Sequence, residues 1–594
     1  MHGSVDEPLH APYDPRIVRR LLAFLAPYRL QVALAVALLF ALAAIEAAQP
    51  WLIKIAIDRH IATGEPAGLL TLAVAYLALL VADFGLGVAN TWVTASVGQR
   101  AMHDLRARVF AQLQRLPVAY FDRTPVGRLV TRVTTDVEVL NELFSSGVVA
   151  VLSDVLLLGV VATAMFLIDW QLALATLFVL PAIFGVSLVF RGRMRDAYRE
   201  IRRWVASLSA YLQERVTGLV VVQLFRREPT SREQFGAINR EHRDAQMRST
   251  LYYALFYPIV ELLTAVAVAA ILVVAGGGIL RGTLTFGTLV AFLQYAQKFF
   301  RPIRDLAEKY NLLQAAMASG ERLTALLDEP PAAGFAAAGP ESRVAGLPEP
   351  RGEIVFEDVW FRYAPDAWVL QGVSFRVPPG TRCALVGPTG GGKTTIASLL
   401  CRFYEPTQGR ILLDGLPLGE YPPAVLAERL GLVLQDVFLF SGSVRDNIRL
   451  DAGTIDDARI DAAVRALGAE AFLDALPQGL DTPVGERGRA LSTGQKQIVA
   501  FARALACDPP VLILDEATSS VDSASEALIE RAVGRLLAGR TCLVIAHRLS
   551  TIRSADRILV LHHGALRESG THAELLAAGG LYRRLYELQF AVPA

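Results

Sequence analysis

The chain has 594 residues, is 53% hydrophobic and only 19% charged, and has a mean hydropathy of +0.39. It is therefore too apolar for an ordinary soluble protein and long enough for two domains. A formal net charge of +1 argues against a nucleic-acid-binding protein, because such proteins usually carry a basic excess. The four cysteines lack the spacing of a metal site and indicate buried free thiols in a reducing cytosol: Cys383, Cys401, Cys507 and Cys542.

The N-terminal segment predicts a tail followed by a helix on the membrane surface. Residues 1–14 contain acidic residues and prolines where a signal peptide needs a basic region, so we expect no cleaved leader. Residues 14–28 alternate apolar and basic positions in the pattern of an amphipathic helix lying along the inner membrane surface. The alternative is that they form the cytosolic end of the first membrane span.

Six apolar segments follow, each near the roughly 20 residues that a helix needs to cross a bilayer. Basic residues precede the first segment and are dense in residues 100–132 and 191–248, which predicts that these regions and both termini lie in the cytosol. The sequence thus predicts a multi-pass protein of the cytoplasmic (inner) membrane, in contact with membrane lipids. The segments are 31–48, 69–97, 147–168, 171–190, 253–275 and 285–300.

The two cytosolic connections, residues 99–141 and 191–250, are too long for turns and rich in helix-forming residues, so we expect them to extend the membrane helices. We place the transmembrane domain at 15–327. A segment rich in Pro, Ala and Gly, residues 328–352, then predicts a linker.

From residue 353 to 590, short β-branched runs alternate with helical stretches, which predicts an α/β nucleotide-binding domain. The fold class is therefore an all-α transmembrane domain with long cytosolic helix extensions, followed by an α/β phosphate-loop domain. The predicted strands are 354–359, 373–377, 382–386, 411–413, 430–434, 511–514, 542–545 and 557–561.

A glycine-rich loop between a predicted strand and a predicted helix has the pattern that cradles nucleotide phosphates. Its glycines let successive amides turn toward one concavity at a helix N-terminus, where anions are favoured. Lys393 can reach the β- and γ-phosphates of ATP, and Thr394 can ligate Mg²⁺. The loop consists of Gly387, Pro388, Thr389, Gly390, Gly391, Gly392, Lys393, Thr394 and Thr395.

Two carboxylates and a histidine follow later strands. Asp515 ends an apolar strand, where it can hold Mg²⁺ directly or through water, and Glu516 can polarise the attacking water. His547 follows the next strand, within possible reach of the γ-phosphate, although a histidine there taken alone is more often structural.

These motifs, together with Leu491, Ser492, Thr493, Gly494 and Gln495, resemble the ATP-binding cassette (ABC) exporter family over essentially the whole chain. The resemblance implies six membrane helices and one cassette per subunit, and two ATP molecules held between the cassettes of a dimer. It implies that Tyr363 stacks on adenine and that Gln435 links Mg²⁺ and water to the membrane domain. It also implies that Asp522 crosses the dimer seam and that His547 is the γ-phosphate switch.

The resemblance extends to segments that sense or move the membrane domain. Residues 485–488 resemble the segment of exporter cassettes that senses it. Residues 120–136 and 218–228 resemble the two coupling-helix regions, which in exporters dock on the cassettes. Taken alone, the last two could be ordinary helix connections.

The sequence departs from the family pattern at Thr493, where the signature has glycine. In the family, Ser492, Thr493, Gly494 and Gln495 would face the ATP bound to the partner, and glycine allows close backbone approach there. We therefore expect Thr493 to weaken hydrolysis at the partner's site, while this chain's own site stays competent. That asymmetry resembles heterodimeric multidrug and peptide exporters; the alternative is a homodimer that tolerates threonine.

The expected function is ATP-driven export of hydrophobic, amphipathic or peptide substrates by alternating access. Alternatives are a homodimeric lipid flippase or a cassette protein in which ATP gates a pore or regulates a partner. The predicted spans exclude a soluble cassette ATPase that acts on nucleic acid. Four acids near the spans could attract cationic substrates or pair with arginines of neighbouring helices: Glu46, Asp83, Asp154 and Glu261.

Overall fold

The computed structural model describes residues 15–332, 347–450, 455–515, 523–546 and 548–590. The chain forms two compact units. The first comprises the residues up to Leu113 together with Gly127–Glu329, and the second comprises Gln114–Val126 together with the chain from Pro330 onward.

The membrane half of the chain is entirely helical in its described part. Wider π-helical turns occur at Ile57–Ile61, Arg132–Asp136 and Leu143–Gly147. The α-helices are α1 (Pro15–Ala23), α2 (Arg29–Ala56), α3 (Leu69–Leu113), α4 (Val118–Arg123), α5 (Val126–Thr131), α6 (Val137–Glu142), α7 (Val148–Ile168), α8 (Trp170–Leu177), α9 (Leu180–Thr217), α10 (Leu219–Leu224), α11 (Glu228–Leu280) and α12 (Phe286–Asp328).

Five helical stretches of the described chain are long and apolar enough to cross a membrane. Helices such as α11, with 53 residues, far exceed the roughly 20 residues that a bilayer requires, which confirms the predicted helical extensions. The sixth predicted span, residues 285–300, is not among these five stretches. It lies at the start of α12, where Gln294, Gln297 and Lys298 interrupt the apolar run. The five stretches are Ala26–Ile61, Leu69–Leu113, Val126–Ile168, Trp170–Thr217 and Glu228–Leu280.

The core of the first unit lies where α7, α8, α9, α11 and α12 meet. Met165, Leu172, Ile183 and Phe292 are buried there. Tyr295 is also buried, and its hydroxyl donates to the main-chain oxygen of Ala47 at 2.6 Å, which joins α12 to α2. The polar end of the tyrosine is thereby satisfied, as burial requires.

The second unit contains two β-sheets. The strands β2, β1, β4 and β5 form a four-stranded antiparallel sheet in that order. The order in the six-stranded sheet is β10, β9, β3, β8, β7 and β6, and its strands are parallel except for β10. The strands are β1 (Ile354–Phe361), β2 (Leu370–Val377), β3 (Arg382–Val386), β4 (Gln408–Leu413), β5 (Leu416–Pro417), β6 (Leu430–Val433), β7 (Val511–Asp515), β8 (Thr541–Ile545), β9 (Arg557–His562) and β10 (Ala565–Gly570).

Helices cover the six-stranded sheet and build most of the second core. Buried side chains of α16, α18 and α19 pack there, including Ile460, Ile498 and Ile529. The helices are α13 (Lys393–Leu400), α14 (Pro423–Arg429), α15 (Val444–Arg449), α16 (Asp457–Leu467), α17 (Glu470–Asp474), α18 (Thr493–Cys507), α19 (Ser523–Leu536), α20 (Leu549–Arg553), α21 (His572–Ala577) and α22 (Leu581–Phe590).

All eight predicted strands are present, and the predicted fold class is confirmed. Strand β10 was not predicted, because Arg567, Glu568 and Ser569 make it polar. It lies at the edge of the sheet beside β9, where polar residues are tolerated.

Burial raises the pKa of Cys383 to about 12, so this thiol packs in the core as an inert group. Cys542 is buried too, but Cys401 is half-buried and Cys507, the last residue of α18, is exposed, so the prediction of a buried thiol was wrong for Cys507.

Candidate nucleotide-binding site

The glycine-rich loop joins β3 to α13 and lies against neighbouring strands. Gly387 has φ of +155°, and a Cβ at this position would lie 2.1 Å from the main-chain oxygen of Leu561. Gly392 has φ of +98°, and a Cβ there would lie 2.6 Å from Leu370 Cδ2. Only glycine fits at these two positions, so the loop's shape is fixed by sequence.

Lys393 is buried at the start of α13 and turns back onto the loop. Its Nζ donates to the main-chain oxygens of Gly387 and Pro388, at 2.6 Å and 3.0 Å. Burial lowers the pKa of Lys393, and the negative charge of Asp515 partly opposes that shift. Thr394 is exposed beside it, whereas Thr395 is buried.

Parallel strands bring the remaining described site residues to the same edge of the sheet. Strand β8 lies between β3 and β7, and Asp515 aligns with Ile545 in the register of β7 and β8. Gln435 follows β6 and is exposed. The carboxyl ends of β3, β7 and β6 therefore place the loop, Asp515 and Gln435 at one edge, as ligand sites in open α/β sheets require. Glu516, His547 and Asp522 lie outside the described residues.

Tyr363 follows β1 and packs against two further aromatic rings. It stands nearly perpendicular to Phe361 and to Tyr404, with ring centroids 4.8 Å and 5.0 Å away. The Tyr363 hydroxyl is 3.2 Å from Thr395 Oγ1, so the ring contacts the helix that carries the phosphate loop. The side chain remains 42% exposed, which leaves surface for a ligand.

The signature residues lie at the start of α18, where a capping box fixes the helix N-terminus. Ser492 Oγ accepts from the Gln495 amide at 3.2 Å, and Gln495 Oε1 accepts from the Ser492 amide at 2.8 Å. Thr493 is exposed and Gly494 is buried. The threonine therefore does not disturb the start of α18, and its side chain, which the family's glycine lacks, is exposed to solvent.

Gln114–Val126, which we call the first coupling segment, belongs to the same compact unit as the cassette. Its helix α4 contacts the cassette through Asp122, which accepts a hydrogen bond from the Tyr404 hydroxyl. Nη2 of Arg123 donates to the main-chain oxygen of Tyr363 at 3.3 Å. The second predicted coupling region contains α10, on which Val220 and Leu224 are exposed.

Two of the four acids near the spans contact lysines of α12. Asp154 forms an ion pair with Lys309. Nζ of Lys298 lies 3.9 Å from Glu46 Oε2, and it donates to Gln49 Oε1 at 2.9 Å and to the main-chain oxygen of Glu46 at 3.0 Å. These partners are lysines, where the sequence suggested arginines.

The other two acids differ in exposure, since Asp83 is half-buried and Glu261 is exposed. Asp122 lies in the predicted first coupling region, but its partner Tyr404 and the two lysines, Lys298 and Lys309, were not predicted as site residues. For Lys298 the available signal was its position inside the predicted sixth span, because a lysine there is costly unless it is paired.

Comparison with known proteins agrees with this geometry. Residues 32–303 match the family model of the ABC transporter transmembrane region, and residues 370–519 match that of the ABC transporter. The ABC transporter ATP-binding protein YknV of Bacillus subtilis (strain 168) is 37% identical over 99% of this chain and 97% of its own length. The chain is an ABC exporter.

Other relatives extend this assignment. An ATP-dependent lipid A-core flippase of Chromobacterium violaceum is 36% identical over 97% of this chain and 98% of its own length. The solved structure of a bacterial Atm1-family ABC exporter with ATP bound superposes with a TM-score of 0.79, at 30% identity, covering 96% of this chain and all of that one. The exporter therefore binds ATP, is an ATPase coupled to transport, and is an integral membrane protein; such exporters act as dimers.

Proposed function

We propose that this ABC exporter uses ATP to move hydrophobic, amphipathic or peptide substrates out across the cytoplasmic membrane, with the cassette in the cytosol. The observation that carries this proposal is the shared sheet edge at which the phosphate loop, Asp515 and Gln435 meet. ATP binding closes two cassettes and turns the cavity outward, and hydrolysis resets it.

Within that site, the loop amides and Lys393 bind the phosphates, and Tyr363 stacks on adenine. Lys393 exchanges the carbonyls of Gly387 and Pro388 for phosphate oxygens. Glu516 polarises the attacking water, and His547 contacts the γ-phosphate.

Mg²⁺ fits the oxygen donors at this edge, which are the exposed Thr394 hydroxyl, the Asp515 carboxylate and the Gln435 amide. The described residues contain no group of three or more His, Cys, Asp or Glu that could hold a metal without the nucleotide. Mg²⁺ would there neutralise charge on the transferred phosphoryl group.

The dimer is proposed to be a heterodimer with one competent and one degenerate ATP site. Thr493 carries the argument, because its exposed β-branched side chain occupies the helix start that would face the partner's ATP, together with Ser492, Gly494 and Gln495. Asp522 would cross the same seam. Replacing Thr493 by glycine should raise ATP turnover at the partner's site.

A lipid is the second candidate substrate, because relatives at 35–36% identity are named ATP-dependent lipid A-core flippases. A fluorescent lipid in proteoliposomes tests it. ATP-dependent loss of the lipid from the leaflet on the cassette side supports a flippase, whereas unchanged distribution during active ATP turnover excludes that lipid.

The proposed chemistry is tested by Glu516→Gln in the assembled exporter. Steady-state ATPase activity should fall at least about a hundredfold, since the water loses its polarising base. Nucleotide binding should remain, because the phosphate loop is unchanged. The matched control is Glu428→Gln at an exposed residue of α14, which should leave turnover as it is. Unchanged turnover in Glu516→Gln would refute the assignment.

A further inference from the structure

Tyr363 is held in one orientation by contacts on several sides. Phe361 and Tyr404 stand at 88° and 89° to its ring, geometries in which the positive edge of one ring meets the negative face of another. Phe361 and Tyr404 also pack on each other, with centroids 5.5 Å apart. The Thr395 hydroxyl contacts the phenol end. A shift of Tyr404 would therefore move or release the ring of Tyr363.

Tyr404 is in turn fixed by the first coupling segment. Its hydroxyl donates to the carboxylate of Asp122, and a hydrogen bond to an ionised acceptor is about twice as strong as a neutral one. Burial raises the pKa of Tyr404, and the bond to Asp122 raises it further. The phenol therefore stays protonated and remains a donor throughout the neutral pH range.

The next residue of α4 reaches the same cluster, since Arg123 donates to the main-chain oxygen of Tyr363. Each of these polar contacts is exposed to water, and singly each could be an ordinary surface contact. Their convergence is the informative feature, because two consecutive residues of one short helix hold Tyr363, one directly and one through Tyr404.

We propose that Asp122, acting through Tyr404, positions the ring of Tyr363 for stacking, so that the first coupling segment completes the base-binding side of the ATP site. Tyr404 and Asp122 are positioning residues and need not touch the nucleotide. The inference rests on the proposed role of Tyr363 as the adenine platform. If Asp122 and Tyr363 are linked in this way, binding of the adenine base changes the contacts of α4 directly, in addition to any change caused by closure of the cassettes.

The test compares a ligand that has a base with one that has none. The full-length chain in its dimer, in the Glu516→Gln background, is photolabelled in the cold with 8-azido-ATP and Mg²⁺, at a probe concentration far below its Kd. Unlabelled ATP or ribose 5-triphosphate competes, and labelling of this chain is measured separately. The midpoint of each competition curve then reports the Kd of the competitor.

Tyr404→Phe keeps the ring and removes the hydroxyl, and Asp122→Ala removes its acceptor. Each should weaken ATP binding about threefold to tenfold, the range expected for the loss of one hydrogen bond. Ribose 5-triphosphate should bind as before. The double variant should be no worse than either single variant, because both remove the same interaction.

Asp366→Ala removes an exposed carboxylate near Tyr363 and serves as the matched control, for which neither Kd should change. Equal weakening of both ligands, additive losses in the double variant, or unchanged ATP binding would each overturn the inference. Tyr363→Ala separates this from the underlying proposal. If Tyr363→Ala leaves the ratio of the two Kd values unchanged, Tyr363 is not the base platform; if it changes the ratio and Tyr404→Phe does not, only the inference fails.

Discussion

The ATP-binding edge of the cassette sheet and the membrane helices both contain lysine side chains, but different groups accept their hydrogen bonds and balance their charge. Lys393 donates to two main-chain oxygens and forms no salt bridge within the part of the chain that the structure describes, although the negative charge of Asp515 acts on it. Lys309 is neutralised by the carboxylate of Asp154, and Lys298 lies near that of Glu46. A buried cation without a close counterion is poised to bind an anion, whereas a paired cation stabilises the helices that supply its partner.

Of the changes that test this comparison, replacing Lys393 should have the largest effect, and that effect is on catalysis. Lys393→Met removes the poised cation, so ATPase activity should fall at least about a hundredfold, as it does when a preorganised donor is lost. Because Lys393 forms no salt bridge among the described residues, its loss leaves no paired carboxylate there without its cation, and the thermal unfolding temperature should fall little. ATPase assays and thermal unfolding of the assembled exporter check both statements; a clear loss of stability would show that Lys393 is structural.

Lys309→Met should give the opposite result. It leaves Asp154 without its cation among the membrane helices and should destabilise the protein by about 2 kcal/mol. The double variant Asp154→Ala/Lys309→Met should regain most of that loss, since neither charge then remains unpaired.

Thermal unfolding of the wild type, Asp154→Ala, Lys309→Met and the double variant measures the coupling between Asp154 and Lys309. Glu261→Gln, at an exposed acid of α11, is the control and should change little. Additive losses in the double variant would show that the pair contributes no stabilisation.

The local signals of the cassette explain why its site could be predicted and the membrane contacts could not. The phosphate loop follows a short apolar strand and Asp515 ends another, so the pattern alone singled them out, whereas Gln435 was named from the resemblance to the exporter family. Lys309 and Asp154 lie far apart in sequence, and nothing in either segment identifies the other. Asp122 was placed in the predicted first coupling region, but its contact with Tyr404 was missed for the same reason, since the two residues lie far apart in sequence.

The smallest expected effect comes from a pair of helix-cap variants, which should lose the same stability but differ in nucleotide binding. Two capping boxes of the same design begin α18 at Ser492 and α21 at Thr571. Ser492→Ala and Thr571→Ala should each destabilise the protein by about 1 kcal/mol, because each removes one cap.

Nucleotide binding at the partner's site should distinguish the two caps. Only Ser492→Ala should weaken it, since Ser492 is also a proposed contact to the partner's nucleotide; photolabelling of the partner subunit with 8-azido-ATP, in competition with ATP, measures it. Equal binding at the partner's site in the two variants, measured well below their unfolding temperatures, would contradict the assigned role of the signature.

The most direct measurement of the central claim is ATP turnover by this chain purified alone and by the same chain co-purified with a partner half-transporter. We predict activity only in the pair, abolished by Glu516→Gln in this chain. In a dimer of two copies both ATP sites would face Thr493, whereas in the proposed heterodimer this chain's own site would face the partner's signature. Robust activity of the chain alone would contradict the heterodimer and establish a homodimer with two equivalent sites that tolerate threonine in the signature.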